Sequence, residues 1–194
     1  MYKMWLEVET KVHVKNPDKL RKKIKTIANF GKKEIKEDNY FALRRRFGWN
    51  RSPKKAFRIR KKSNTYEINF KKWLKEYWDK EVVVKQEFEF SIKDKEHLEN
   101  LLALFRDLGF VEWTKKKKHS ETYYHKKDKR ISIELNNVEH LGYFMEVEYL
   151  CQYNEIEKAK RKIKETLKEL GIEKRNIDNT GYTKMLWKKK IKNN

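Results

Sequence analysis

The chain has 194 residues, 41% of them charged and 38% hydrophobic, with 13% aromatic residues, 2 prolines and 6 glycines. That is enough chain to bury one sizeable core, and apolar residues that recur in phase exclude a disordered polyelectrolyte or a low-complexity tail. The formal net charge of +21 points toward polyanions, whether nucleic acid, polyphosphate or an anionic membrane surface, without choosing among them; a solvated lysine-rich surface accounts for much of it.

The lone Cys151 cannot form an internal disulfide, no apolar run approaches a membrane span, and the first residues enter a strand without a basic and then apolar leader. The expectation is a cytoplasmic protein with no membrane partner, a single domain over residues 1–194, and a monomer or homodimer.

The first predicted strand covers residues 4–14. Within Leu6-Glu7-Val8-Glu9-Thr10-Lys11-Val12, side chains alternate between faces, so Glu7, Glu9 and Lys11 share one side and Leu6, Val8 and Val12 the other. Asn16-Pro17-Asp18 signals a helix start; Leu20, Ile24 and Ile27 recur at helical spacing, with Gly31 as the expected stop. Residues 32–46 read as a strand around Asp38-Asn39-Tyr40-Phe41, and Gly48 to Pro53 as a turn. A hairpin follows across Ser63 and Asn64. Its first arm places Arg58 and Arg60 opposite Phe57 and Ile59, and its second places Asn69 and Lys71 opposite Tyr66, Ile68 and Phe70.

Residues 72–80 fit neither period. Val82 to Phe90 resumes the alternation, grouping Lys85, Glu87 and Glu89 against Val84, Phe88 and Phe90. Asp94 can cap a helix bearing Leu98, Leu101, Leu102, Phe105 and Leu108 and ending at Gly109. The lysine run Lys115 to Lys118 leads to a strand near Glu121 to Lys126, and Arg130 to Leu135 alternates again. After Gly142, Phe144 to Tyr149 carries Glu146 and Glu148 on one face. Asn154 with Glu157 reads as a capping box for a helix with Ile156, Ile163, Leu167 and Leu170, stopped by Gly171. A short strand over Tyr182 to Trp187 closes the list of elements.

Three times a Glu-x-Glu strand feeds a helix expected to stop at glycine: Glu7 and Glu9, Glu87 and Glu89, Glu146 and Glu148. If the apolar sides of these strands pack under the helices, their charged sides face open water or an enclosed lumen. A closed antiparallel barrel with a polar interior and helices outside, an α+β fold, satisfies this geometry. Carboxylates crowded on one wall repel one another unless a cation sits among them, and Mg2+ binds through a few carboxylates plus phosphate oxygens. Lys11, Arg58, Arg60, Lys71 and Lys85 offer charge-assisted hydrogen bonds to phosphate. Acids beside bases therefore point to a phosphorylated substrate and to phosphoryl transfer or hydrolysis. Alternation alone equally allows these charges to pair as cross-strand salt bridges.

Glu7-Val8-Glu9-Thr10-Lys11 resembles the ExExK element of the CYTH superfamily, the triphosphate tunnel metalloenzymes, which include class IV adenylyl cyclases, thiamine triphosphatases, inorganic triphosphatases and some RNA triphosphatases. The ordered set Asp38-Asn39-Tyr40-Phe41, Phe57-Arg58-Ile59-Arg60, Lys71, Lys85-Gln86-Glu87-Phe88-Glu89, Ile133-Glu134-Leu135 and Leu141 to Glu148 extends the resemblance over residues 4–187. It implies an eight-stranded antiparallel barrel, a tunnel open at both ends. It further implies Mg2+ or Mn2+ at Glu7, Glu9, Glu134, Glu146 and Glu148, with Glu87 and Glu89 matching acids of the middle strand. Lys11, Arg58, Arg60, Lys71, Lys85 and Lys118 are the implied triphosphate ligands, Lys118 standing for a basic residue whose register within Lys116 to Lys118 the run obscures. Glu134 occupies a position where the family usually has aspartate, and Lys85 one where arginine is common.

The expected function is thus metal-dependent hydrolysis of a phosphoanhydride in a triphosphate-containing small molecule such as inorganic triphosphate, ATP or thiamine triphosphate, with Glu7, Glu9, Lys11, Glu146 and Glu148 as the catalytic set. The alternatives are a class IV adenylyl cyclase making cyclic AMP from ATP and a non-catalytic RNA- or polyanion-binding module. The five histidines show no metal-ligand spacing with cysteine, and Trp49, Trp73, Trp78 and Trp113 read as core or tunnel-mouth packing before they read as base-stacking platforms.

Overall fold

In the computed structural model, which describes residues 5–44, 52–53, 55–62 and 65–192, β1 (Leu6–His13) has both faces buried. Leu6, Val8 and Val12 join a core with Leu20 and Ile24 of α1 (Pro17–Ile27) and Ile163 and Leu167 of α3 (Ile156–Glu169). On the other side Glu7, Glu9 and Lys11 are only 3%, 6% and 3% exposed, so the charged row is enclosed and not a solvated face.

The remaining strands are β2 (Ala28–Leu43), β3 (Phe57–Lys61), β4 (Tyr66–Trp73), β5 (Val83–Ile92), β6 (Phe110–His125), β7 (Ile131–Val138) and β8 (Gly142–Cys151), with α2 (Lys95–Asp107) and α4 (Tyr182–Lys192) completing the helices. The strands close into a barrel in the order β1-β5-β4-β3-β2-β6-β7-β8, the α+β barrel expected. The chain forms two compact units: Met1–Ile35, Lys72–Glu87 and Lys118–Thr180 in the first; Lys36–Lys71, Phe88–Lys117 and Gly181–Asn194 in the second. In the second unit, Phe57, Ile59 and Ile68 pack against Leu98, Leu102 and Phe105 of α2. No helix among the described residues is long and apolar enough to cross a membrane.

Several local expectations need correction. Asn16 caps α1 by accepting from the Lys19 N–H, but the helix passes straight into β2 at Ala28 without a glycine stop. Gly31 lies inside β2, where a Cβ would come 2.6 Å from the Tyr124 ring and 3.2 Å from the Thr122 carbonyl oxygen; close approach, not termination, explains it. The capping box before α3 is made by Gln152 and Glu155 around a 3-10 turn, not by Asn154 and Glu157. The lysine run belongs to β6 itself, with Lys116 and Lys118 buried and Lys115 exposed.

Residues 75–77 form a 3-10 turn. Tyr182 to Trp187 is helix, not strand: Tyr182, Met185 and Leu186 have i, i+3, i+4 spacing, and the Gly181 carbonyl accepts from the Lys184 and Met185 N–H groups. His125 is buried against Glu169 at 3.0 Å. Trp49, residues 48–51 of the turn expected from Gly48 to Pro53 and the hairpin turn at Ser63 and Asn64 lie outside the described residues.

Gly171 ends α3 at φ 64°, the left-handed conformation that avoids a Cβ penalty only for glycine. Gly171→Ala is expected to cost about 1–2 kcal/mol. Thermal denaturation should show a melting temperature lower by roughly 2–4 °C per kcal/mol for a chain of this size.

Candidate functional site

In the first unit, β8 lies between β1 and β7 and sets their acids side by side. Glu9 faces Glu148 and Lys11 faces Glu146 across β1 and β8, while Glu134 faces Glu146 across β7 and β8. Two groups of carboxylates result, Glu7 with Glu9 and Glu148, and Glu134 with Glu146 and Glu148; within each, one oxygen per residue lies within 4.8 Å of the others. Glu148 belongs to both. Like charges placed directly opposite on neighbouring strands are destabilising, so such an arrangement requires cations.

Lysines supply part of that charge. The Lys118 ammonium donates to Glu134 at 3.0 Å and Glu146 at 3.2 Å, and Lys85 donates to Glu9. Asn136 donates to Glu146 at 2.8 Å and is itself held by Ser120 at 2.6 Å. Burial works against the Lys118 charge, but Glu146 and Glu134 overcome it and raise the ammonium above the ordinary lysine range. Burial likewise works against the Glu146 carboxylate, and Lys118 outweighs it and holds the group below its usual range. At Lys11 burial wins over Glu146 and Glu9, and its pKa is lowered. Lys85 also sits 5.0 Å from the centre of the Trp73 ring, a second resting place for its charge.

Not every expected acid joins these groups. Glu87 is half-buried and belongs to neither, and Glu89 has a 46% exposed side chain that accepts from Asn69 at 3.1 Å in the second unit.

The second unit holds Arg58, Arg60 and Lys71. Arg60 grips Asp38 with both arms, Nε at 2.6 Å and Nη2 at 3.0 Å, and Lys116 reaches the same carboxylate at 2.9 Å. Arg58 pairs with Glu67, which also meets Lys62. Burial opposes the Asp38 charge, yet Lys116 and Arg60 hold its carboxyl far below the usual range. Among the described residues the buried Arg58 Nε has no hydrogen-bond partner, a donor left for an acceptor oxygen. Lys116 also lies 5.5 Å from the Tyr40 ring centre and 5.4 Å from that of Tyr182.

Asp38 and Glu67 as arginine partners, and Asn136, have no role assigned from sequence, and Lys116 enters there only as another register of the run in which Lys118 is chosen. For Glu67 the signal was present: it shares parity with Asn69 and Lys71, and the hairpin register sets it opposite Arg60.

The family model described as CYTH domain matches residues 6–182. No match is found among curated proteins. Among solved structures, the chain is similar to the PH1819 protein of Pyrococcus horikoshii OT3, 31% identical with a TM-score of 0.74 over 94% of this chain and 99% of that one. It is also similar to a conserved hypothetical protein of Pyrococcus furiosus, 29% identical with a TM-score of 0.70 over 91% and 98%. A Hippeastrum protein described as an adenylyl cyclase candidate with a dominant triphosphatase activity shares the fold at 18% identity, with a TM-score of 0.62 over 92% and 91%.

Proposed function

The chain belongs to the CYTH domain family, and from that premise we propose that it is a divalent-metal-dependent triphosphatase, hydrolysing a phosphoanhydride of a small triphosphate-containing substrate. The observation that carries the reading is the pair of carboxylate groups sharing Glu148, set among buried lysines. The donor set fits the implied metal: hard carboxylate oxygens clustered as Mg2+ or Mn2+ requires, with Glu7, Glu9, Glu134, Glu146 and Glu148 as its holders. Bound there, the ion would supply charge neutralisation and Lewis-acid polarisation of phosphoryl oxygens.

The chain's own residues do the rest. Each unit by itself offers phosphate ligands: Lys11, Lys85 and Lys118 in the first, Arg58, Arg60 and Lys71 in the second. Lys118 keeps its proton because Glu134 and Glu146 raise its pKa, so it presents a full positive charge to developing negative charge on a phosphoryl group. Lysines already seated among carboxylates in the first unit, and arginines seated on Asp38 and Glu67 in the second, are held in place before substrate arrives.

The test is incubation with Mg2+ or Mn2+ and, separately, tripolyphosphate, ATP and thiamine triphosphate, with assays for phosphate and cyclic AMP. Phosphate release from at least one of them, abolished by EDTA, is the expected result. Cyclic AMP without phosphate release would transfer the assignment to an adenylyl cyclase. No turnover of any triphosphate, together with tight RNA binding in EDTA, would overturn the enzyme reading in favour of a polyanion-binding module.

A further inference from the structure

β5 pairs with β1 only along Leu6 to Glu9, whereas β8 pairs with the whole strand from Leu6 to His13. The edge of β1 beyond Glu9 is taken instead by the segment that follows α3. Ile177 forms a bridge with Val12. The Asp178 N–H donates to the Lys11 carbonyl at 2.8 Å, the Lys11 N–H donates to the Asn179 Oδ1 at 2.8 Å, and the Lys11 ammonium donates to the Thr180 carbonyl. Three consecutive residues thus hold the carbonyl, the amide and the side-chain nitrogen of one lysine.

The segment is itself fixed. The Thr180 N–H donates to Asp178 Oδ1 at 2.9 Å, closing a local turn. The Asn179 Nδ2 donates at 3.0 Å to the Glu81 carbonyl, which also accepts from the Thr10 hydroxyl at 2.7 Å. Asn179 therefore ties Lys11 to the residues that lead into β5.

We propose that Ile177–Thr180 is a clamp that positions Lys11 for a phosphate group, with Asn179 as its positioning residue; the proposal rests on the reading of Lys11 as a phosphate ligand. A lysine ammonium ends a flexible four-carbon stem whose rotamer freedom is lost when the tip is fixed. Fixing its carbonyl, its N–H and its tip from one segment meets that cost before substrate binds. Burial of Lys11 among Glu9 and Glu146 makes placement matter more, because a displaced ammonium would leave those carboxylates without its charge.

The test compares Asn179→Ala, Asn179→Asp, Lys11→Ala and the Asn179→Ala/Lys11→Ala double variant on tripolyphosphate. Asn179→Ala should lower kcat/KM about tenfold, mainly through KM, and Asn179→Asp, which keeps the acceptor for the Lys11 N–H but sets a carboxylate oxygen against the Glu81 carbonyl, should recover only part of it. The double variant should be no worse than Lys11→Ala alone, since residues acting through one another are non-additive. Additive losses would overturn the clamp. Hydrogen exchange at the Lys11 amide, read by NMR, is independent of turnover and should quicken at least tenfold in Asn179→Ala. An unchanged Lys11 amide sinks the clamp whatever the enzyme does. A quickened amide in a protein whose wild-type form neither binds nor hydrolyses any triphosphate sinks the functional reading and, with it, the role of the clamp in phosphate binding.

Discussion

Glu148→Gln is expected to lower kcat/KM for the triphosphate substrate by about 10³-fold or more, equivalent to roughly 4 kcal/mol of transition-state stabilisation, and to abolish detectable Mn2+ binding by calorimetry. Glu148 is the one carboxylate common to both three-acid groups. Its neutralisation removes a negative donor from each at once, whereas Glu7→Gln weakens one group and leaves Glu134, Glu146 and Glu148 whole. The smaller loss is therefore expected for Glu7→Gln. Gln keeps the shape of Glu at a half-buried position, and removing one of several opposed acids relieves repulsion between β1 and β8. The far-ultraviolet circular dichroism and melting temperature should therefore stay at or above wild type. Wild-type Mn2+ affinity in Glu148→Gln would show that the acid groups do not hold the metal.

Much of this site was legible in the sequence because strand periodicity is short-ranged. The two-residue alternation in β1, β5 and β8 separates Glu7, Glu9, Lys85, Glu146 and Glu148 from the apolar residues that enter the core. What alternation could not supply is which strands meet. Glu9 beside Glu148 and Lys11 beside Glu146 depend on β1 pairing with β8 from the far end of the chain, a closure no local pattern encodes.

β6 runs longer than its sequence pattern predicts for a different reason: in Lys115 to Lys118 lysines occupy both faces, so the hydrophobic alternation that marks a strand vanishes although Lys116 and Lys118 are buried. The clamp at Asp178 to Thr180 carries no motif, because its contacts to Lys11 run largely through backbone groups that every residue type has. Tyr182 to Trp187, expected as a short strand, is helix, and its i, i+3, i+4 spacing of Tyr182, Met185 and Leu186 is the signal for it.

Asp38→Ala is the substitution expected to cost most stability, about 3–5 kcal/mol, the range for removing one partner of a buried ion pair. The Asp38 carboxylate has no exposed side-chain surface and receives Arg60 through two hydrogen bonds and Lys116 through a third contact, with the Arg58 Nε 3.9 Å away. Its removal leaves the buried Lys116 and the half-buried Arg60 and Arg58 around an empty volume, with Glu67 and, 3.9 Å from Arg58, Glu89 left to offset them. Urea unfolding at pH 7 reads the loss directly.

The pH dependence gives a second check, with a definite sign. The folded-state pKa of Asp38 is depressed far below its unfolded value of about 3.9. Its contribution is therefore fully present above that unfolded value and is lost progressively as pH falls below it. The stability gap between wild type and Asp38→Ala should be constant from pH 7 to 5 and narrow steadily from pH 4 to 2; Glu67 titrates in both proteins, so its contribution largely cancels from the difference. Asp38→Asn, which keeps the shape without the charge, should lose less than Asp38→Ala and converge on wild type over the same interval. A gap that widens in acid, or that stays flat down to pH 2, would mean that the charge of Asp38 is not what holds Arg60 and Lys116 in place.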